Sequence, residues 1–106
     1  MEPLESGPMR DRNQILEMLA DRRETLHGLG VRKLALFGSA ARGANSPSSD
    51  LDFVVELARE TFDAYMGVKE FLEETFGCRV DLVLEKAIKP RLRERILSEA
   101  VHAPGL

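Results

Sequence analysis

Apolar residues recur along this chain with two different periods, and the switches between them outline its elements. Ile15, Leu16, Met18, Leu19 and later Leu26 sit at helical spacing. Charged Arg12, Glu17, Asp21, Arg22 and Glu24 fill much of the other face, as on a solvated surface. The pattern predicts one helix from Asp11, stopped by Gly28 and Gly30. Residues 31–37 form an apolar-rich run between Gly30 and Gly38 and predict a strand. Residues 39–42 predict one or two helical turns closed by Gly43. Residues 44–49, with Asn45, Ser46, Pro47 and Ser48, read as a loop. Residues 51–57 predict a second strand, with Glu56 at its wetter end. Thr61 suits a helix N-cap, and Phe62, Tyr65, Val68, Leu72 and Phe76 follow as a core-facing stripe up to Gly77. Residues 79–84 predict a third strand, with Val80, Leu82 and Leu84 on one face. Lys89-Pro90 opens a last helix whose apolar side is Leu92, Ile96, Leu97, Ala100 and Val101. The order helix, strand, short helix, strand, helix, strand, helix predicts an α+β fold: a small mixed β-sheet with helices packed on one face.

Composition narrows the setting. A chain of 106 residues predicts one domain, here residues 11–106 after a loose tail at 1–10. Apolar content of 43% with 31% charged residues fits a soluble globular protein. No apolar run reaches membrane-spanning length, so no membrane association is expected. The acidic first residues lack the apolar core of a secretory signal, which makes the cytoplasm the default compartment. The single cysteine, Cys78, excludes an internal disulfide and a Cys-rich zinc site, and reads as a small half-buried residue. A net charge of −3 argues against broad nucleic-acid binding, though not against one nucleotide held by a local patch.

Candidate chemistry gathers between Leu36 and Val55. Asp50 and Asp52 are two apart at the start of a strand, so both carboxylates project from one face while Leu51 and Phe53 point into a core. Two like charges so close call for a cation between them, and hard oxygen donors suit Mg²⁺. Upstream, Gly38-Ser39 follows an apolar strand and opens a helix, where backbone N–H groups can approach a phosphate. A phosphate cradle beside a metal site suggests a metal–nucleotide site. Arg42 could reach a phosphate or a partner's carboxylate, or simply favour its helix end. Ser49 could offer a hydroxyl to phosphate or shape the turn. Asp81 stands alone in an apolar strand, either as an edge charge or as a third acidic ligand. Arg91, Arg93 and Arg95, interleaved with Glu94 and Glu99, read as a solvated face, with partner docking as the alternative. His27 and His102 lack metal-ligand spacing.

The combination G-S-x-x-R-G, a short loop, then S-D-x-D-x-x-V resembles the signature of the polymerase-β-like nucleotidyltransferase superfamily. The form "FGSAARG…SDLDFVV" resembles its minimal branch, the MNT-domain (MntA-like) proteins, over residues 31–101. The resemblance implies the polymerase-β-like fold with an acidic triad on the open face of the sheet. Asp50 and Asp52 would hold two Mg²⁺ ions about 4 Å apart, and Asp81 would complete the catalytic metal site and help deprotonate the acceptor. Gly38 and Ser39 would cradle the β- and γ-phosphates. The implied reaction transfers a nucleoside monophosphate, AMP from ATP by family inference, to a hydroxyl. The short chain leaves no room for an acceptor-recognition domain, so a partner would supply it or be the acceptor. Minimal nucleotidyltransferases of this kind pair with HEPN-type toxins and neutralise them by transferring AMP to a tyrosine, which implies an antitoxin. Two alternatives stay open. One is transfer to a small molecule, which would call for a pocket formed by a homo-oligomer. The other is a non-catalytic antitoxin or nucleotide-binding protein.

Overall fold

Two apolar-rich strands frame the fold. In the computed structural model, which describes residues 11–44 and 50–106, β1 (Val31–Phe37) pairs antiparallel with β2 (Leu51–Leu57). β2 in turn pairs in parallel with β3 (Val80–Leu84). A parallel step needs a long crossover, and α4 (Phe62–Phe76) supplies it. A short strand β4 (Val101–His102) joins the other edge of β1, giving the order β3-β2-β1-β4 among the described residues. Helices α1 (Arg12–Asp21) and α2 (Arg23–Gly28) precede the sheet. α3 (Gly38–Ala41) links β1 towards β2, and α5 (Pro90–Glu99) leads into β4. The fold is α+β with a small mixed sheet, as the pattern predicts. The tail at 1–10 and most of the loop before Asp50, including Ser49, lie outside the described residues.

Register decides which face becomes core. Leu34 lies opposite Val55, Leu36 opposite Phe53, and Phe53 opposite Leu82, so these side chains share one face. Onto it α1 and α2 bring Ile15, Leu19 and Leu26, and α4 brings Val68, Leu72 and Phe76, all buried. The Phe53 and Phe76 rings stack with centroids 6.0 Å apart. Each large side chain so buried contributes about 1.5–3 kcal/mol.

Element ends follow local chemistry. The Asp11 carboxylate accepts from the Gln14 amide at 2.8 Å while Gln14 Oε1 accepts from the Asp11 amide at 3.0 Å, a capping box. Thr61 caps α4 through the Ala64 amide at 3.1 Å, and Gly77 ends it with φ of +65°.

Four local expectations are corrected. The single N-terminal helix is two, because the chain tightens at Arg22, whose amide bonds to the Leu19 carbonyl three residues back at 3.0 Å. Phe62 does not face the core; it opens the first turn of α4 and is 76% exposed. Val101 leaves the helix for β4, since Ala100 is extended and the outer edge of β1 offers backbone partners, with Leu34 O accepting from Ala103 at 2.8 Å. The α5 surface is also not wholly solvated: Arg93 donates to the Glu85 carbonyl at 3.0 Å and carboxylate at 3.1 Å.

Candidate active site

The sheet register carries the site as well as the core. Asp52 pairs with Phe37 on one side and with Asp81 on the other, so the three residues form one rank across β1, β2 and β3. The register thus puts the Asp81 carboxylate beside that of Asp52, on the face opposite Phe53 and Leu82. Asp50 immediately precedes β2, and the Leu51 amide donates to Arg79 O at 3.1 Å, which ties the entry of β2 to that of β3. Asp50 and Asp81 are exposed, and Asp52 is half-buried.

Gly38 follows Phe37 with φ of +76°, a backbone region that side chains rarely adopt. A Cβ built there would run into the Asp52 carboxylate, with its Cγ only 3.0 Å away. The turn from β1 into α3 therefore lies directly against Asp52, and only glycine permits that approach. Ser39 is half-buried in α3, and its carbonyl accepts from the Ala44 amide at 2.8 Å. Arg12 Nη1 donates to the Ala41 carbonyl at 3.1 Å and steadies the other end of that turn. Arg42 caps α3, but its guanidinium reaches away to Glu99 of α5 at 3.3 Å.

Electrostatics single out Asp52. Burial, then the charges of Asp81 and Asp50, push its carboxyl above the ordinary value of 3.8, and Arg42 partly offsets this. A cation between the strands would relieve the same strain. Among the described residues, no three His, Cys, Asp or Glu side chains converge as a ready-made metal cage. Asp50, Asp52 and Asp81 are the residues that could offer hard oxygen donors to a divalent cation here.

On the β3 side of the aspartates lies an open groove of about 420 Å³, lined by Asp50, Lys69, Glu73, Arg79, Val80 and Asp81. Lys69 and Glu73 of α4 pair at 2.8 Å, and the Glu73 carboxylate also accepts from the Val80 amide at 3.1 Å. The bond to Lys69, then that from Val80, holds the Glu73 carboxyl below its ordinary value, while the bond to Glu73 raises Lys69. Neither residue stands out in the sequence. Their only signal is the K-x-x-x-E spacing beside the apolar stripe, which ordinary surface helices share.

Comparison with known proteins bears on the family and the fold. The family described as "Nucleotidyltransferase domain" matches residues 16–102. The protein adenylyltransferase MntA of Thermococcus cleftensis is 31% identical, aligned over 80% of this chain and 87% of that protein. A Methanocaldococcus jannaschii protein provisionally named a protein adenylyltransferase is 32% identical over 89% of this chain and 99% of its own length. A solved structure assigned to the minimal nucleotidyltransferases is 40% identical, with a TM-score of 0.67 over 81% of this chain and 93% of that one. The fold also recurs, at 22% identity and a TM-score of 0.64, in the crystal structure of a toxin–antitoxin with AMP-PNP, over 92% of this chain and 75% of that one. Among the described residues, no helix is long and apolar enough to cross a membrane.

Proposed function

The chain belongs to the nucleotidyltransferase domain family, and on that premise we propose that it transfers AMP from ATP to a hydroxyl of a protein. The proposed acceptor is a tyrosine of a HEPN-type toxin, for which the chain acts as antitoxin. The observation that carries the enzymatic part is the rank Phe37–Asp52–Asp81 with the Gly38 turn closed against Asp52. It joins a backbone able to approach phosphate to three carboxylates on one face. The names of the relatives, protein adenylyltransferases, support AMP as the group and protein as the acceptor. A structure of the same fold, described as a tri-AMPylated Shewanella oneidensis HEPN toxin with its MNT antitoxin, shows that this fold serves such a pair there.

Asp50, Asp52 and Asp81 would hold Mg²⁺, which when bound neutralises the triphosphate and polarises its α-phosphorus. Gly38 and Ser39 bind the β- and γ-phosphates through the turn between β1 and α3. Ser49, which directly precedes Asp50 in the sequence, would add a hydroxyl to the phosphates, and Arg42 would turn from Glu99 to add a positive charge. Asp81 accepts the proton of the attacking hydroxyl. The new oxygen–phosphorus bond forms as the bond to the leaving pyrophosphate breaks. Positioning and charge neutralisation account for most of the rate.

Purified chain, Mg²⁺ and α-labelled ATP, with and without the protein encoded by the adjacent gene, test this reading, with Asp50→Asn as control. Label moving to that protein, and not in the variant, supports it. A tight complex without label would instead identify a binding-only antitoxin. Neither label nor complex would redirect the search to small-molecule or RNA acceptors.

A further inference from the structure

One face of α4 is fastened to the edge strand at two points. Tyr65, Lys69 and Glu73 are spaced four apart and so line up along the helix. The Tyr65 hydroxyl donates to the Leu82 carbonyl at 2.7 Å, and the Glu73 carboxylate accepts from the Val80 amide at 3.1 Å. The two fastenings bracket Asp81 on β3, and Lys69 lies midway between them on α4. Lys69 lines the groove together with Asp81 and Asp50. Glu73 takes one of its three donors at 2.8 Å, and the other two have no partner among the described residues. A lysine on a solvated helix face samples many rotamers; this one is held at the mouth of the acidic site.

The groove also lies on a defined side of the chemistry. Phosphoryl displacement puts the attacking and leaving oxygens in line, on opposite sides of the phosphorus. The Gly38 turn approaches Asp52 from the β1 side, while Asp81 and the groove lie on the β3 side. With the pyrophosphate portion on Gly38 and Ser39, the acceptor must come through the groove.

We propose that Lys69, latched by Glu73, is the acceptor-binding residue: its ammonium donates to the attacking hydroxyl oxygen and holds it beside Asp81. This rests on the nucleotidyl-transfer reading above. The ammonium stabilises the oxygen as its proton leaves for Asp81, the oxygen–phosphorus bond forms, and pyrophosphate departs on the β1 side. Lys69 keeps its own protons throughout.

The test uses the full chain as wild type, Lys69→Met, Lys69→Arg and Glu73→Gln. Transfer of label from α-labelled ATP to the protein encoded by the adjacent gene is measured while each substrate is varied. Calorimetric titration with AMP-PNP and Mg²⁺ reads nucleotide binding without turnover. Loss of one charge-assisted hydrogen bond predicts that Lys69→Met lowers kcat/KM for the acceptor by roughly tenfold to a hundredfold. AMP-PNP affinity should stay within about twofold, and Lys69→Arg should recover part of the loss. If Lys69→Met does not fold, the same split is read in Glu73→Gln, where the freed ammonium should weaken acceptor use alone. Unchanged acceptor kinetics would overturn the inference and leave the transfer reading standing. An equal loss of AMP-PNP affinity would overturn it too, by moving Lys69 to the nucleotide side. Wild type without transfer would overturn both.

Discussion

Asp52 and Phe53 are neighbours on one strand and belong to different molecules in all but covalent bonding. Phe53 points into the core, fully buried and stacked on Phe76. Asp52 points to the other face, half-buried against Gly38 and flanked by two further carboxylates. The core face is a continuous buried apolar cluster. The acidic face is arranged against its own electrostatic interest, since burial and like charge both disfavour the ionised form of Asp52. A fold that tolerates such a site does so because one side of β2 holds the chain together while the other holds charge in place.

Substitutions can separate the two sides. The largest effect expected is on Phe53→Ala, which empties a buried ring site and should cost about 3–5 kcal/mol in a denaturant titration. The folded fraction should keep its turnover per molecule; a variant that is stable but inactive would put Phe53 in the site. Asp52→Asn should do the reverse. Transfer should fall by about 10²–10³-fold, while the melting temperature holds or rises, because the amide removes an unfavourable charge. A strongly destabilised Asp52→Asn would mark that face as structural. Gly38→Ala should affect both sides, by about 1–3 kcal/mol of backbone strain and a displaced Asp52 carboxylate. Retained activity with a normal melting temperature would show that the turn can yield.

Acidity probes the same contrast more gently. The folded-state pKa of Asp52 lies above the ordinary value of 3.8. The folded chain therefore binds the proton more tightly than the unfolded chain. Its contribution to stability rises as pH falls through the folded pKa towards 3.8, and is lost as pH climbs back. Melting curves of wild type against Asp52→Asn should diverge across that acidic window and converge below it. Added Mg²⁺ should oppose the trend by favouring the ionised carboxylate. Parallel curves would mean that Asp52 does not feel its neighbours. The smallest effect expected is at Glu99, whose exposed pair with Arg42 spans 3.3 Å. Glu99→Gln should change stability by less than about 1 kcal/mol, and activity should hold or rise as Arg42 is released. A large loss of either would give that pair a role in holding α3 to α5.

Most elements were legible from the chain because their signals are local. An apolar-rich run between two glycines marked β1, helical spacing from Asp11 marked the N-terminal helical region, Thr61 and Gly77 bounded α4, and Pro90 opened α5. The two-residue spacing of Asp50 and Asp52 predicts a shared face from the chain alone. Resemblance to the nucleotidyltransferases added Asp81, which spacing alone leaves ambiguous. What stayed hidden depends on partners distant in sequence. β4 exists because the outer edge of β1 offers hydrogen bonds, so an apolar residue at a helical position, Val101, becomes strand. The pairing of Asp52 with Asp81 is a matter of register between strands joined through α4, and no local pattern encodes it. Gly38 announces a turn in the sequence, but that the turn rests on the Asp52 carboxylate is known only from the packing of β1 on β2. Lys69 and Glu73 look like any helical ion pair until α4 is laid along the edge strand and brings them to the groove. Local physical chemistry thus determined the elements and the faces of their side chains. Tertiary structure alone decided which faces meet, because distances between residues far apart in the chain are set by packing and register.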